Sequence, residues 1–274
     1  MSTSLLSSLV DDAALFPPGN APMVDAVPAH RKYRSGELSW FVGRFLCPAS
    51  RVAELIDVLE PGDDLEIGLI ADTGLDGLAG ALDVLAPESR LRLGAVEIVL
   101  RGDPAVYRAA VSAEVPLFLE LPRGGTGWLD AVPALARMER TGAKLRTGGL
   151  VASAFPTPAE VVDFLRACVV AGVPAKCTAG LHHAVSATDP ATGFDHLGFG
   201  NVLLAAHTLI TGSSTTEAIE VLAERNRDVV ARGLSHLGES ASRHVREVFV
   251  GYGSCSVSEP VEDLRAMGLF PTTG

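Results

Sequence analysis

The sequence predicts an α/β protein that folds as a single (β/α)8 TIM barrel. Apolar segments of strand character alternate with segments of helical spacing over most of the 274 residues. That alternation predicts parallel βαβ units. Glycines, prolines and charged residues follow the strand segments, where such a barrel carries its active-site loops. An open doubly wound sheet is the alternative, and it is less favoured because no Gly-x-Gly-x-x-Gly loop follows an early strand.

Seven segments have clear strand character, and an eighth strand would complete the barrel. We place this short strand at 13–16, between Asp11-Asp12 and Pro17-Pro18-Gly19. The two acids are expected to cap or solvate a loop, with a cation or a substrate hydroxyl as the alternative partner. The seven clear segments are 38–47, 65–71, 91–100, 116–121, the lysine-bearing segments 143–149 and 174–183, and 248–257.

Helical spacing follows the strand segments in turn. Thr157, Pro158 and Glu160 form a helix start, with a capping hydroxyl, a proline at the first position and a glutamate at the third. The predicted helices cover 51–59, 74–85, 107–113, 128–140, 158–171 and 261–267.

The segment 193–246 interrupts this rhythm within the single domain 1–274. Helices are predicted at 198–209 and 215–225, while 226–243 is polar and ambiguous. We expect this helical insertion to serve as a lid, as a contact between copies in a homo-oligomer, or as extra helical packing.

The amino-acid composition argues against several classes of binding partner. A formal net charge of −11 without any Lys/Arg-rich run argues against nucleic acid and against an anionic membrane surface. No apolar run approaches the roughly 20 residues that span a bilayer, and no signal peptide is evident. The four cysteines form no Cys-x-x-Cys pair. We therefore expect a reduced, cytoplasmic protein with a small-molecule substrate.

Five ionisable residues occupy successive predicted strands of the barrel, the two acids in earlier strands and the two lysines in late ones. Alternate residues of a strand share a face, so Lys144 and Arg146 point the same way. Separate salt bridges are the simplest interpretation of each charge. Burial of an unpaired charge costs several kcal/mol, so the five must pair with each other or with substrate. The set is Glu97, Glu120, Lys144, Arg146 and Lys176.

This arrangement favours Schiff-base chemistry without a cofactor. A desolvated lysine beside a second cation has a lowered pKa and attacks carbonyl carbon. We assign Lys144 as the nucleophile and Lys176 as the neighbour that lowers its pKa. Glu97, with Glu120 or His182, would relay protons. If Lys144 is held in a salt bridge, Lys176 becomes the nucleophile.

Two further groups of polar residues follow the late strands. His182 and His183 predict an acid/base contact to substrate, and the alternative is a metal site completed by Cys177 or Glu120. The segment Gly253-Ser254-Cys255-Ser256 forms either a tight strand-end turn or a cradle for an anionic or polyhydroxy substrate. The residues assigned to substrate binding are Arg146, His183, Gly148, Gly149, Gly180, Ser254 and Ser256.

Five short motifs follow one another along the chain, and each occurs once. They are Phe45-Leu-Cys-Pro48, Ala95-Val-Glu97-Ile-Val99, Lys144-Leu-Arg-Thr147-Gly148, Lys176-Cys-Thr-Ala179-Gly180 and Gly253-Ser-Cys-Ser256. Together they resemble the class I aldolases of the deoxyribose-phosphate aldolase type, which are TIM barrels. The resemblance implies that Lys144 is the Schiff-base lysine, that Lys176 is the second lysine, and that Glu97 takes the place of a proton-relaying aspartate.

The chain also departs from that pattern. Leu181-His182-His183 stands where the resembling aldolases carry an arginine, and the insertion before the last strand is longer. The resemblance therefore implies an aldolase-like lyase with changed specificity. Two rivals stay open: a metal-dependent lyase, isomerase or hydrolase that uses His182 and His183, and a non-catalytic barrel that binds a small ligand.

Overall fold

A computed structural model describes residues 3–270, in which eight parallel strands close into a barrel with helices around it. The strands follow chain order around the barrel, and the last one pairs with both the first and the seventh. This confirms the predicted (β/α)8 fold. The barrel strands are β1 (Val10–Asp12), β2 (Val42–Pro48), β3 (Leu65–Ile70), β4 (Leu91–Val99), β5 (Leu117–Glu120), β6 (Thr141–Arg146), β7 (Ala175–Thr178) and β10 (Phe249–Ser254). A separate antiparallel hairpin consists of β8 (Ala187–Thr188) and β9 (Asp195–His196).

The first strand lies upstream of its predicted position. The prediction of a strand at 13–16 is wrong, because that segment forms turns. Strand β1 instead contains Asp11 and Asp12, and it joins β2 to β10. Aspartate is depleted in strands, so the local pattern concealed a strand that barrel closure requires.

Helices separate the strands as the rhythm predicted, but several bounds differ. The helix predicted at 107–113 lies at Pro104–Ala109. Helix α2 occupies part of a region that the sequence pattern left irregular. The helix predicted at 128–140 contracts to a single turn at α6, where Pro133 removes an amide donor. The helices are α1 (Thr3–Leu6), α2 (Met23–Ser35), α3 (Val52–Asp57), α4 (Gly74–Leu85), α5 (Pro104–Ala109), α6 (Val132–Leu135), α7 (Pro158–Ala171), α8 (Phe199–Ile210), α9 (Thr215–Ala223), α10 (Arg227–His236), α11 (Glu239–Val248) and α12 (Ser258–Ala266).

The helix between the two lysine-bearing strands starts as predicted. Glu160 N donates to the Thr157 hydroxyl at 3.3 Å, and Thr157 N donates to the Glu160 carboxylate at 2.8 Å. Gly172 ends the helix in the left-handed region, with φ 67°. Helix α7 thus has a capping box at one end and a glycine stop at the other, which fixes the crossover from β6 to β7.

Thr157→Ala is expected to lower the free energy of unfolding by about 1 kcal/mol, because it removes the capping hydroxyl. Urea unfolding followed by circular dichroism measures the change as a lower midpoint at unchanged slope. Thr157→Ser keeps the hydroxyl and is the matched control. Equal midpoints for the alanine and serine variants would contradict the capping role.

The segment 193–246, predicted as a helical insertion, contains β9, the helices α8 to α10 and most of α11; its hairpin partner β8 lies just before it. Helix α8 contacts α7, α9, α10 and α11, and α11 also contacts α1 and leads directly into β10. Phe155, in the loop after β6, packs against Phe194 and His196 of the hairpin. None of the described helices is both long and apolar enough to cross a membrane.

Apolar and charged side chains alternate along strands β4 and β6, and they point to opposite faces of the sheet. In β4, Val96 and Ile98 belong to the hydrophobic core, while Glu97 between them contacts lysines of other strands. In β6, Ala143 and Leu145 flank Lys144 in the same way. Because neighbouring residues of a strand point to opposite faces, the helices cover the apolar residues and the charged residues fill the barrel.

Candidate active site

Two lysines lie side by side in the middle of the barrel. Lys144 of β6 and Lys176 of β7 are partners in the strand register, and Glu120 of β5 is the register partner of Lys144. Lys144 is 3% exposed and Lys176 is 1% exposed. The barrel therefore buries two cationic side chains next to each other, as the sequence predicted.

Glu97 lies between the two lysines. Its Oε1 accepts a hydrogen bond from Lys176 Nζ, and its Oε2 lies 2.8 Å from Lys144 Nζ. Burial alone would raise the pKa of Glu97, but the two ammonium groups lower it to about 2. Glu97 is thus a carboxylate across the physiological pH range, and it separates two charges that would otherwise repel each other.

Lys176 contacts two carboxylates. It donates hydrogen bonds to Asp11 and Glu97. Burial acts to lower the pKa of Lys176, yet the charges of Asp11 and Glu97 outweigh burial and raise it. Lys176 therefore stays an ammonium ion, which suits it to be a fixed neighbouring charge and not a nucleophile.

Lys144 also lies between two carboxylates. Its Nζ lies 2.8 Å from Glu97 Oε2 and 3.1 Å from Glu120 Oε2. Glu97 Oε2 has no hydrogen-bond partner of good geometry among the described residues, so the first contact is a charge–charge interaction. Arg146 Nε donates to the other oxygen of Glu120 at 3.2 Å. Lys144 thus contacts Glu97, which it shares with Lys176, and Glu120, which it shares with exposed Arg146.

These contacts belong to a longer chain of alternating charges. Beyond Lys176, Asp11 lies 3.7 Å from Arg44, and Arg44 lies 3.1 Å from Glu66. As far as Glu66, four cations alternate with four carboxylates and their charges cancel; exposed Arg92 and Asp64 extend the chain at the surface by one further cation and one further carboxylate. Neutrality explains how an apolar barrel accommodates so many buried charges. In order, the members are Arg146, Glu120, Lys144, Glu97, Lys176, Asp11, Arg44 and Glu66.

Sequence reasoning found five members of this chain as far as Glu66 and missed three. Asp11 was assigned to a loop; the structure places it in β1 with Lys176 and Arg44, and Asp12 pairs with His30 at 3.1 Å. Arg44 and Glu66 lie in predicted strand segments but were not selected. The available signal was a charge inside an apolar strand, the same signal that identified Lys144.

The two histidines form a separate group. His182 Nδ1 lies 3.3 Å from Glu259 and 3.8 Å from Cys255 Sγ, and His183 Nδ1 lies 3.2 Å from Asp263. Burial lowers the pKa of His182, while the hydrogen bond to Asp263 raises that of His183. The contacts of His182 are with residues after β10, so Glu97 and Glu120 are the predicted relays that touch Lys144.

The predicted ligand set of a metal site is not assembled around these histidines. Across residues 3–270, no group of three or more His, Cys, Asp and Glu side chains has the arrangement to hold a metal ion. Cys177 is fully buried in the apolar core, and burial raises the pKa of its thiol. It therefore packs as a core residue on the helix side of β7.

Glycines allow the loops after β6 and β7 to touch. A Cβ on Gly148 would lie 2.7 Å from Gly180 Cα, and Gly180 has φ 78°. A Cβ on Gly149 would lie 2.7 Å from Ala154 Cβ. The buried Thr147 hydroxyl donates to the carbonyl of Thr178 at 3.2 Å. The glycine motifs thus bring the two loops together where the lysine strands end.

The serine motif closes the last strand by its own hydrogen bonds. The Ser254 hydroxyl donates to the Ser256 carbonyl at 2.7 Å, and Ser256 Oγ lies 3.1 Å from Ser258 Oγ. Glu259 N donates to Ser256 Oγ at 3.2 Å. These contacts form a strand-end turn that leads into α12, and a role in substrate binding stays a prediction.

Comparison with known proteins found no matching family model, no matching curated protein and no matching solved structure.

Proposed function

We propose that this protein is an enzyme that acts on a small carbonyl compound through an imine on Lys144, as an aldolase-like lyase. The observation that carries the proposal is that two buried lysines, Lys144 and Lys176, lie on either side of Glu97, and that Lys144 also contacts a second acid, Glu120. The barrel fold is compatible with this chemistry, and the motif resemblance to class I aldolases supports it.

The use of lysine in this chain supports the same assignment. The sequence contains 22 basic residues, of which only three are lysines: Lys32, Lys144 and Lys176. Arginine therefore supplies nearly all of the positive charge, and two of the three lysines lie inside the barrel. Arginine does not lose its proton in proteins, whereas a lysine amine can become a nucleophile. A primary amine at these positions is thus a chemical requirement of the proposed reaction.

The roles follow from the contacts. Lys144 loses a proton to Glu120, whose other oxygen is held by exposed Arg146. The neutral amine attacks the carbonyl carbon, and loss of water gives an iminium ion on Lys144. Glu120 returns its proton to the hydroxyl that leaves as water, and then takes the proton of a hydroxyl on the β carbon of the substrate. The bond between the α and β carbons breaks, the β carbon departs as an aldehyde or ketone, and the bond electrons form an enamine. Protonation of the α carbon and addition of water then release the second product and free Lys144. Glu120 protonates and deprotonates the reacting groups, while Lys176 keeps Glu97 ionised.

Borohydride trapping tests this proposal. Protein incubated with a panel of short aldehydes and ketones and then reduced should gain a stable secondary amine, which peptide mass mapping should locate at Lys144. Lys32 is an internal control, because it is an exposed lysine on α2. Adducts confined to Lys32 and the chain's amino terminus would overturn the imine proposal.

The same panel of aldehydes and ketones distinguishes an imine enzyme from a non-catalytic binding barrel and from a metal-dependent enzyme. A non-catalytic binding barrel would show ligand-dependent protection of the lysines without turnover of any panel member. A metal-dependent enzyme would gain activity on addition of a divalent cation, whereas the imine reaction is expected to be unchanged by chelator.

A further inference from the structure

A cavity lies at the opposite end of the barrel from the exposed Arg146. It has a volume of about 390 Å³. Its walls come from the N-terminal ends of the strands, including Gly43 of β2, Gly142 of β6 and Val250 of β10. The active face of a (β/α)8 barrel is at the C-terminal ends of the strands. This cavity therefore lies at the other end of the barrel from the face expected to admit the carbonyl substrate, and Asp11, which contacts Lys176, forms part of its wall.

The cavity carries an excess of positive charge in an acidic protein. Four arginines and two acids line it, while the whole chain has a formal net charge of −11. Both acids already have cationic partners: Asp11 pairs with Lys176 and Arg44, and Glu66 pairs with Arg44. The lining arginines are Arg34, Arg44, Arg140 and Arg246.

Two of these arginines have no carboxylate partner among the residues that the structure describes. Arg246 donates only to backbone carbonyls, those of Leu5, Ser7, Phe249 and Val250. Burial lowers the pKa of Arg246 to about 10, so it is still charged at neutral pH. Arg34 Nη1 likewise donates to two carbonyls, at 2.9 and 2.6 Å. Two guanidinium groups thus border one cavity without an ion pair of their own, although the charge of Asp11 acts on Arg246.

We infer that this cavity binds a small organic phosphate. Guanidinium groups recognise phosphate with paired N–H donors, and a phosphate carries close to two negative charges at neutral pH, which matches the excess of two cations. The remaining lining includes Pro116, Phe118, Pro174 and Val250, an apolar surface suited to the organic part. A carboxylate would balance only one of the two charges.

Isothermal titration calorimetry at fixed ionic strength tests the inference with phenyl phosphate, inorganic phosphate and benzoate. Phenyl phosphate is expected to bind most tightly, because it matches both the charge and the apolar wall. Benzoate binding as tightly as phenyl phosphate would overturn the assignment to phosphate, and no heat from phenyl phosphate at millimolar concentration would overturn the site itself.

A matched pair of variants locates the binding. Arg140 lines the cavity and Arg137 does not, although both are exposed arginines three residues apart. Arg140→Gln is expected to weaken phenyl phosphate binding about tenfold, and Arg137→Gln to leave it within twofold. Equal affinities for the two variants would overturn the location. Arg34→Gln is a second test, with Arg34→Lys as its charge-preserving partner, and Arg34→Gln is expected to weaken binding at least tenfold.

The test of phosphate binding does not depend on whether Lys144 forms an imine. Arg140 touches none of the residues assigned to imine chemistry, and its ion-pair partner is exposed Glu114. Borohydride trapping at Lys144 is expected to be the same in Arg140→Gln as in the unchanged protein. A failure of phosphate binding therefore leaves the imine proposal standing, and the reverse also holds.

Discussion

Lys144→Arg is expected to abolish the borohydride-trapped adduct and to lower turnover of a carbonyl substrate by at least a thousandfold. Arginine preserves the positive charge between Glu97 and Glu120, but it cannot release a proton to become a nucleophile. Covalent catalysis through an amine then has no route. The measurement is intact mass after reduction, followed by peptide mapping, together with the rate on any panel compound that the unchanged protein converts.

Two lysine controls sharpen this experiment. Lys32→Arg changes the exposed lysine and should leave trapping at Lys144 intact. Lys176→Arg keeps a cation beside Asp11 and Glu97, so an adduct should still form, at a rate lowered by the bulkier side chain. If trapping survives in Lys144→Arg and disappears in Lys176→Arg, the assignment of the nucleophile is reversed.

The sequence predicted the barrel because the evidence for it is local. Each βαβ unit carries its own apolar strand, a helix with a start signal such as Thr157, and a turn. The charged residues of β4 to β7 were also predictable, since a charge at a strand position between apolar neighbours must point into the barrel. Lys144 and Lys176 therefore appeared in the right strands and on the right face.

The closing strand was not predictable from local pattern. Strand β1 is only three residues long, and two of them are aspartates. Its position depends on pairing with β2 and with β10, which is more than 200 residues away along the chain. The partner of Lys176 was missed for the same reason. Asp11 becomes a site residue only when barrel closure brings it to Lys176.

The histidines show a different limit of sequence reasoning. Their position after the second lysine strand predicted that His182 relays protons and that His183 contacts substrate, but it did not predict their contacts within the protein. The left-handed Ala179 and Gly180, with φ 61° and 78°, turn the chain after β7. His182 and His183 then contact Glu259 and Asp263 of α12. A turn of this kind depends on contacts between loops, which spacing along the chain does not encode.

Glu97→Gln is expected to lower the free energy of unfolding by about 3–5 kcal/mol at neutral pH, because it leaves two buried ammonium groups without their shared counter-charge. Glu97 is fully buried, and both of its oxygens face a lysine. Urea unfolding at pH 7 measures the loss. Glu54→Gln makes the same chemical change in an exposed pair with Arg51, and it should change the free energy by less than about 0.5 kcal/mol.

The pH dependence of the stability loss in Glu97→Gln tests whether the charge of Glu97 causes that loss. The pKa of Glu97 is lowered from 4.5 to about 2 on folding, so its contribution is complete above about pH 4.5 and is lost as the pH falls toward 2. The raised pKa of Lys176 keeps its own contribution complete below pH 10.5. The difference between Glu97→Gln and the unchanged protein should therefore be constant from pH 5 to 10 and shrink below pH 4.5.

Removing a lysine from the Glu97→Gln protein should relieve part of the charge repulsion that lowers its free energy of unfolding. Without Glu97, the charge of Lys144 opposes that of Lys176 with only Glu120 beside it. Lys144→Met is therefore expected to destabilise the Glu97→Gln protein less than it destabilises the unchanged protein, with a coupling of about 1–3 kcal/mol. Additive losses, or a Glu97→Gln effect that does not change between pH 7 and pH 3, would mean that packing and not charge makes Glu97 important. A coupled, pH-dependent loss would establish that one carboxylate permits both lysines to occupy the barrel.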